Sequence, residues 1–297
     1  MTNLSTPSPA LLAWASRILG AQPSVRDVSH PRRNNARVWQ LTLPSDVRFF
    51  LKVSPRPVMY ERETLALRHA VPALGAGRAP QLRASSAEHL ALLLTAVPGL
   101  PLTQLTLTPA EEARAHRQGG ELLARLHAAG DLTGPRRAEA EQALQAAADG
   151  AERHLREAGD RVTPAEQKVV RDLAEQLRSL PPLPLAFIHG DAWERNLLWS
   201  KDLGQAGWID FERARFAAAV QDVVPMACGT WADRPDLRAA WLQGYGRDLT
   251  PEEQHALTCL AALDAVSCLV WGPKFDDPQV TARGWRTLDR LVEGVFA

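Results

Sequence analysis

The stretch Phe187-Ile-His-Gly-Asp-Ala-Trp-Glu-Arg-Asn-Leu-Leu-Trp199, followed by Gly207-Trp-Ile-Asp-Phe-Glu212, decides how this chain is read. A short apolar run ends in His189-Gly190-Asp191, a polar loop follows, and Asn196 comes five residues after the aspartate. Two apolar runs flanking the polar turn Ser200 to Gln205 then read as a hairpin that returns the chain to Asp210. Two carboxylates and an amide therefore gather at one end of a small hairpin. The amide oxygen of Asn196 and the carboxylate of Asp210 are hard oxygen ligands, the kind Mg²⁺ accepts beside phosphate oxygens and water. Asp191, on the loop itself, is placed to accept a proton from an incoming hydroxyl.

The pattern His-Gly-Asp-x4-Asn followed by Ile-Asp-Phe-Glu resembles the aminoglycoside phosphotransferase family, relatives of protein kinases that also include choline, homoserine and fructosamine kinases. Two linked motifs in the right order and separation carry the resemblance. It implies an α+β, bilobal, protein-kinase-like fold with a small antiparallel-sheet N-terminal lobe and a larger, mostly helical C-terminal lobe. It also implies ATP, or GTP, held between the lobes, with Asp191 as catalytic base and Asn196 and Asp210 as ligands of Mg²⁺. Upstream, Phe50-Leu51-Lys52-Val53 looks like the family's third strand, whose lysine contacts ATP phosphates. Basic residues are almost all Arg in this chain, and Lys52 is the only Lys before Lys168. A primary ammonium serves at such a position as a compact charge. Its partner should face inward from the next helix, where Tyr60, Glu63, Leu67 and Ala70 share one stripe and Glu61 shares another with Leu65 and Arg68, so Glu63 is the choice. Leu92 to Gly99 looks like the lobe connection, with backbone groups around Thr95 to Val97 facing adenine.

Two departures stand out. The segment Pro31-Arg-Arg-Asn-Asn-Ala-Arg37, where the family covers the phosphates with a loop, has no glycine, which leaves Asn34, Asn35 or the arginines to substitute through their side chains. The catalytic loop reads Ala192-Trp-Glu-Arg195 where a Pro-Gly pair commonly precedes the asparagine, a difference that bears on loop rigidity rather than on chemistry.

Around these motifs the elements follow local signals. Ser8-Pro9 and Gly20 bound a short amphipathic helix; residues 37–43 and 47–53 form a hairpin; a helix runs from about Tyr60 to Val71; Ala91 to Thr95 is a buried strand. Three Thr-Pro-x-Glu segments, at Thr108, Thr163 and Thr250, each combine an N-cap hydroxyl, a proline at N1 and a glutamate at N3. The boundary is placed near Pro98-Gly99, giving a nucleotide-binding lobe over 1–97 and a helical catalytic and substrate-binding lobe over 98–297. His189 is read as ordering the catalytic loop, Asp222 as bracing it, and the tryptophans as core or pocket wall.

The chain has 297 residues, 45% hydrophobic and 23% charged, enough for sizeable cores. Its 34 basic and 34 acidic residues cancel, which argues against nucleic acid or an anionic membrane as partner. Cys228, Cys259 and Cys268 lack any Cys-x-x-Cys spacing and read as core thiols. No basic, apolar leader or uninterrupted membrane-length apolar run is present, so a cytoplasmic location is expected. The neutral total conceals an asymmetry: residues 1–96 carry 12 Lys and Arg against 5 Asp and Glu, and the remainder carries 22 against 29. The reading is therefore a small-molecule kinase whose hydroxyl acceptor is a cationic amino-sugar or amino-alcohol, with Glu212, Asp233, Asp264, Asp276 and Asp277 as candidates to receive it. The alternative is a catalytically silent nucleotide-binding scaffold of the same fold, motivated by the glycine-free loop. A metal-dependent phosphoesterase is a weaker third reading, because it has no use for Lys52.

Overall fold

The Ser8 hydroxyl accepts a hydrogen bond from the Leu11 N–H and Pro9 fills the first helical position, so α1 (Pro9–Leu19) begins where its capping chemistry allows and closes at Gly20 with φ 69°. The computed structural model describes residues 6–29, 36–130 and 132–296. Residues 31–35 of the segment expected to cover the phosphates, Asn34 and Asn35 among them, lie outside these. Next come β1 (Ser24–Asp27), β2 (Arg37–Thr42), β3 (Arg48–Val53), α2 (Pro57–His69), β4 (Leu82–Ser86) and β5 (Ala91–Thr95). The five strands make one antiparallel sheet in the order β1-β2-β3-β5-β4. One face packs Trp39, Leu41, Leu51 and Leu93 against Leu11 and Ala15 of α1. α2 starts before Tyr60, since Pro57 takes the helix start.

Past the sheet, β6 (Leu100–Pro101) leads into α3 (Pro109–Ala128), α4 (Pro135–Asp149), α5 (Ala151–Ala158) and α6 (Pro164–Arg178). Four short strands follow, β7 (Leu185–Ile188), β8 (Leu197–Ser200), β9 (Gln205–Trp208) and β10 (Arg215–Ala218). The chain ends in α7 (Val224–Ala227), α8 (Pro235–Tyr245), α9 (Pro251–Lys274) and α10 (Pro278–Val292). All three Thr-Pro-x-Glu segments form complete capping boxes, Thr108 with Glu111, Thr163 with Glu166 and Thr250 with Glu253. β8 and β9 form the expected hairpin, β6 adds to its edge, and β10 pairs antiparallel with β7. α9 has the length and hydropathy of a membrane span, yet 72% of its apolar window is buried within the protein, and it packs against α6 and α10. The three cysteines are buried free thiols. Trp199, Trp208 and Trp241 lie in the core, whereas Trp271 is 38% exposed.

Candidate active site

Lys52 lies on the central strand β3, opposite Val38 and Leu92, with its side chain buried beneath α2. Its Nζ is 2.8 Å from Glu63 Oε2, 2.6 Å from Asp210 Oδ1 and 3.2 Å from Glu212 Oε2. Glu63 is buried and Glu61 exposed, which is the division the helix stripe predicts. Burial disfavours the Lys52 ammonium, but Asp210, Glu63 and Glu212 together hold its pKa well above the ordinary value. Burial raises Glu63 to about 7 against the opposing pull of Lys52, with Asp210 and Glu212 adding like charge. Burial pushes Asp210 up as well, and Lys52 overrides it to leave that carboxyl low. Asp210 itself has φ 69°, a left-handed conformation costing on the order of 1–3 kcal/mol in a non-glycine residue, and it thereby meets Lys52.

Three carboxylates around one ammonium leave the pocket rich in anionic oxygen. Glu63, Asp210 and Glu212 each offer an oxygen within 4.8 Å of the others. Asn196 stands beside them because its main-chain oxygen accepts from the Ile209 N–H at 3.0 Å, which extends the β8–β9 ladder up to Asp210. Its Nδ2 donates to Asp191 at 2.9 Å (main-chain O) and 3.1 Å (Oδ2), so Oδ1 is the atom left to bind a cation. This hard-oxygen donor set fits Mg²⁺. Glu212, assigned to the acceptor from sequence, belongs instead to the lysine cluster.

The loop carrying Asp191 is fixed by side chains rather than by a Pro-Gly pair. Asp222 accepts from the main-chain N–H of His189 at 2.6 Å and of Gly190 at 2.7 Å. His127 bridges Asp222 at 2.9 Å and Tyr245 at 2.7 Å. His189 Nε2 meets the Ile209 carbonyl at 3.0 Å, and its Nδ1 lies 3.3 Å from the Asp191 N–H. His116 lies 3.4 Å from Glu194. Gly190 is obligatory, with φ 77° and a position where a Cβ would fall 2.3 Å from the Arg213 carbonyl. Asp191 receives Arg195 Nη2 on both oxygens, at 2.8 and 3.1 Å. Burial would raise its pKa, but Arg195, then Arg213, hold it at about 2, so the group is an ionised acceptor poised on a rigid loop.

At the lobe connection, the Thr95 N–H donates to Gln81 O at 3.0 Å and its hydroxyl accepts from the Gln81 N–H at 2.9 Å. Thr95 is thus occupied by its own sheet. Ala96 and Val97 make no main-chain hydrogen bond among the described residues, so of the three residues expected to face adenine it is these two whose main chain is not taken up by the sheet. The Val97 side chain packs where a Cβ on Gly207 would stand, 2.7 Å away.

On the other side of Asp191 a cleft of about 560 Å³ opens, lined by Trp193, Leu260, Trp271 and a set of arginines. Of the five carboxylates expected to receive the acceptor, Asp264 and Asp277 line this cleft and Glu212 does not. Asp233 and Asp276 are not on its wall, Asp264 is spent on Arg283 at 3.0 and 3.2 Å, and Asp277 caps the Val280 N–H at the start of α10. Lobe-wide charge says nothing about where individual carboxylates point: Asp264 faces an arginine and Asp277 a helix start.

The sequence profile of the phosphotransferase enzyme family APH matches residues 29–257. The chain belongs to this family. A search of curated proteins returned no match. Among solved structures, this APH-family chain is similar to macrolide 2'-phosphotransferase type I, with 20% identity, a TM-score of 0.66 and coverage of 97% of this chain and 99% of that one. It is similar to a thermostable mutant of aminoglycoside phosphotransferase APH(4)-Ia in ternary complex with ADP and hygromycin B, with 15% identity, a TM-score of 0.67 and coverage of 96% and 98%. A choline/ethanolamine kinase family protein from Mesorhizobium loti matches with 19% identity, a TM-score of 0.67 and coverage of 96% and 92%. At these identities the likeness shows a shared protein-kinase-like fold, while membership of the APH family makes the chain a small-molecule phosphotransferase.

Proposed function

We propose that this protein transfers the γ-phosphoryl group of ATP to a hydroxyl of a small molecule. The observation that carries the reading is the meeting of Lys52 from β3, Glu63 from α2 and Asp210 from the end of the β8–β9 hairpin, beside a loop that holds Asp191 and Asn196 rigidly. The relative seen with ADP and hygromycin B supports nucleotide use. In this reading the main chain at Ala96 and Val97 takes the adenine edge, and Lys52, held by Glu63, binds the donor phosphates. Asp210 and Asn196 Oδ1 would hold Mg²⁺, which supplies neutralisation of phosphate charge. Asp191 accepts the hydrogen bond of the acceptor hydroxyl and takes its proton at a carboxylate oxygen as the new O–P bond forms and the bond from γ-phosphorus to the ADP oxygen breaks. Most of the rate enhancement is positioning and electrostatics, because a carboxylate held at about pKa 2 is a weak base but a well-aimed acceptor.

The test is Asp191→Ala assayed for ADP formation with Mg-ATP and a panel of hydroxyl compounds. Turnover should fall by about two to four orders of magnitude while the Kd for Mg-ATP stays within about threefold. Full turnover by the variant would remove Asp191 from the mechanism.

A further inference from the structure

We propose that the acceptor is an anion, a hydroxyl compound bearing a carboxylate or phosphate group that Arg213 and Arg215 hold beside Asp191. The inference rests on the kinase reading above and names the substrate class of that same site. The cleft next to Asp191 includes none of Lys52, Glu63 or Asp210 in its wall, so it lies on the acceptor side of the catalytic loop. Five arginines line it, at 56, 195, 213, 215 and 283, against three aspartates, at 191, 264 and 277. Two of the arginines are neutralised, Arg195 by Asp191 and Arg283 by Asp264, and both guanidiniums also lie over Trp193, at 4.7 and 4.3 Å.

Arg56, Arg213 and Arg215 have no carboxylate within ion-pair distance among the described residues. Arg56 reaches only Met59 Sδ, at 3.7 Å. Arg215 donates to Gln221 Oε1 at 2.7 Å and to the Arg213 carbonyl at 3.2 Å. Its place in the fold is fixed by the pairing of β10 with β7, where Arg215 stands opposite Ile188, the residue before His189. The guanidinium consequently lies against Gly190, where a Cβ would fall 2.8 Å from its Nη1. Burial lowers the Arg215 pKa, Asp222 opposes it, and Arg62 and Arg213 add like charge. A partly desolvated guanidinium crowded by other guanidiniums is unfavourable alone and becomes favourable once an oxyanion shares the space. Its planar fork matches carboxylate and phosphate, and a cationic amino-sugar would meet the same cluster with repulsion. Leu260, Leu263 and Trp271 offer apolar surface for the acceptor's carbon skeleton.

The experiment uses the full chain, Mg-ATP and one hydroxyalkyl series ending in ammonium, amide, carboxylate or phosphate, with ADP release as readout. The carboxylate or the phosphate member should exceed the amide by about tenfold or more in kcat/KM, and the pair tells which anion is preferred. Arg213→Gln, an exposed position where folding is not at stake, and Arg215→Gln should each raise the KM of the anionic member about tenfold to a hundredfold. The KM for ATP should stay within about twofold, and the anion-over-amide ratio in kcat/KM should collapse, which a general loss of activity through Asp191 would not produce. Preference for the ammonium or amide member, or anion preference untouched by both variants, overturns the inference while leaving the kinase reading in place. If no member is turned over, the series is repeated as a thermal shift with Mg²⁺ and a non-hydrolysable ATP analogue. Stabilisation by the anionic members that Arg213→Gln abolishes then sustains the anion site and counts against the kinase reading, whereas its absence overturns the anion site.

Discussion

An ammonium with Glu63, Asp210 and Glu212 all within 3.2 Å occupies a place shaped for a point charge. Arginine is the chain's habitual cation, yet a planar guanidinium on a longer, stiffer fork cannot meet carboxylates from α2 and from both ends of the Asp210–Glu212 segment at once. Lys52→Arg should therefore cut phosphoryl transfer by about tenfold or more and raise the KM for ATP; steady-state kinetics within about threefold of wild type would mark Lys52 as dispensable. Asp191 gives a second prediction at this scale, through pH. Its folded pKa of about 2 lies below the ordinary 3.8, so its ionised form adds stability that is present above pH 3.8 and is lost as pH falls towards 2. The gap of nearly two units corresponds to about 2 kcal/mol. Denaturant unfolding of wild type and Asp191→Asn should differ by that order near pH 6 and converge near pH 2, and a pH-independent difference would mean that the Arg195–Asp191 pair does not set this pKa.

What the elements reveal depends on how local their causes are. The hairpin of β2 and β3, the buried run of β5 and the three capping boxes were legible because each is written within a few consecutive residues. β1, β4 and β10 were not, because Ser24–Asp27 and Leu82–Ser86 lack strict alternation and Arg215–Ala218 is four residues long; they are strands only because a neighbour supplies their hydrogen bonds. The site divides the same way. Lys52 could be picked by the resemblance and its rarity and Glu63 by its helical stripe, whereas Glu212 was misplaced and Arg213 and Arg215 went unremarked, since nothing in an Arg-rich sequence marks which guanidinium lacks a carboxylate partner among the described residues. One tertiary fact did leave a trace. Gly119 and Gly120 sit inside α3, where glycine costs about 1 kcal/mol against alanine, and the reason is the crossing with α8. A Cβ on Gly120 would stand 2.2 Å from the Trp241 carbonyl oxygen, and one on Gly244 would stand 1.8 Å from that of Arg117. Gly244→Ala should thus destabilise the protein by about 2 kcal/mol or more despite its gain in helix propensity, while Gln243→Ala on the exposed face stays within about 0.5 kcal/mol. Urea unfolding of the pair decides it, and equal stability would mean the helices can separate without cost.

At the scale of the whole molecule, the basic N-terminal part and the acidic helical part share one apolar core, with Leu67, Val71 and Leu74 packed in the same cluster as Leu122, Trp199 and Trp208, and Lys52 to Asp210 at 2.6 Å is the polar link between them at the site. Surface charge of opposite sign is screened beyond about 8 Å at physiological salt, so a buried contact rather than the lobe-wide imbalance aligns the two halves of the site. Under the proposed function that contact would also make metal and nucleotide interdependent. Phosphates arriving at Lys52 would then share it with Asp210, and a divalent cation held by Asp210 would offset the crowding of two anions on one ammonium. Replacing Asp210 with Ala leaves Lys52 paired with Glu63 and Glu212, so the fold should persist, and metal-free ATP should bind at least as well as to wild type. What should disappear is the gain from Mg²⁺. Calorimetric titration of ATP should show about tenfold tighter binding with Mg²⁺ than with EDTA in wild type, and less than about twofold in Asp210→Ala. A variant that keeps the full metal-dependent gain would move the cation away from Asp210, to the remaining oxygens of Glu63, Glu212 and Asn196, and would require Asp210 to act on Lys52 alone.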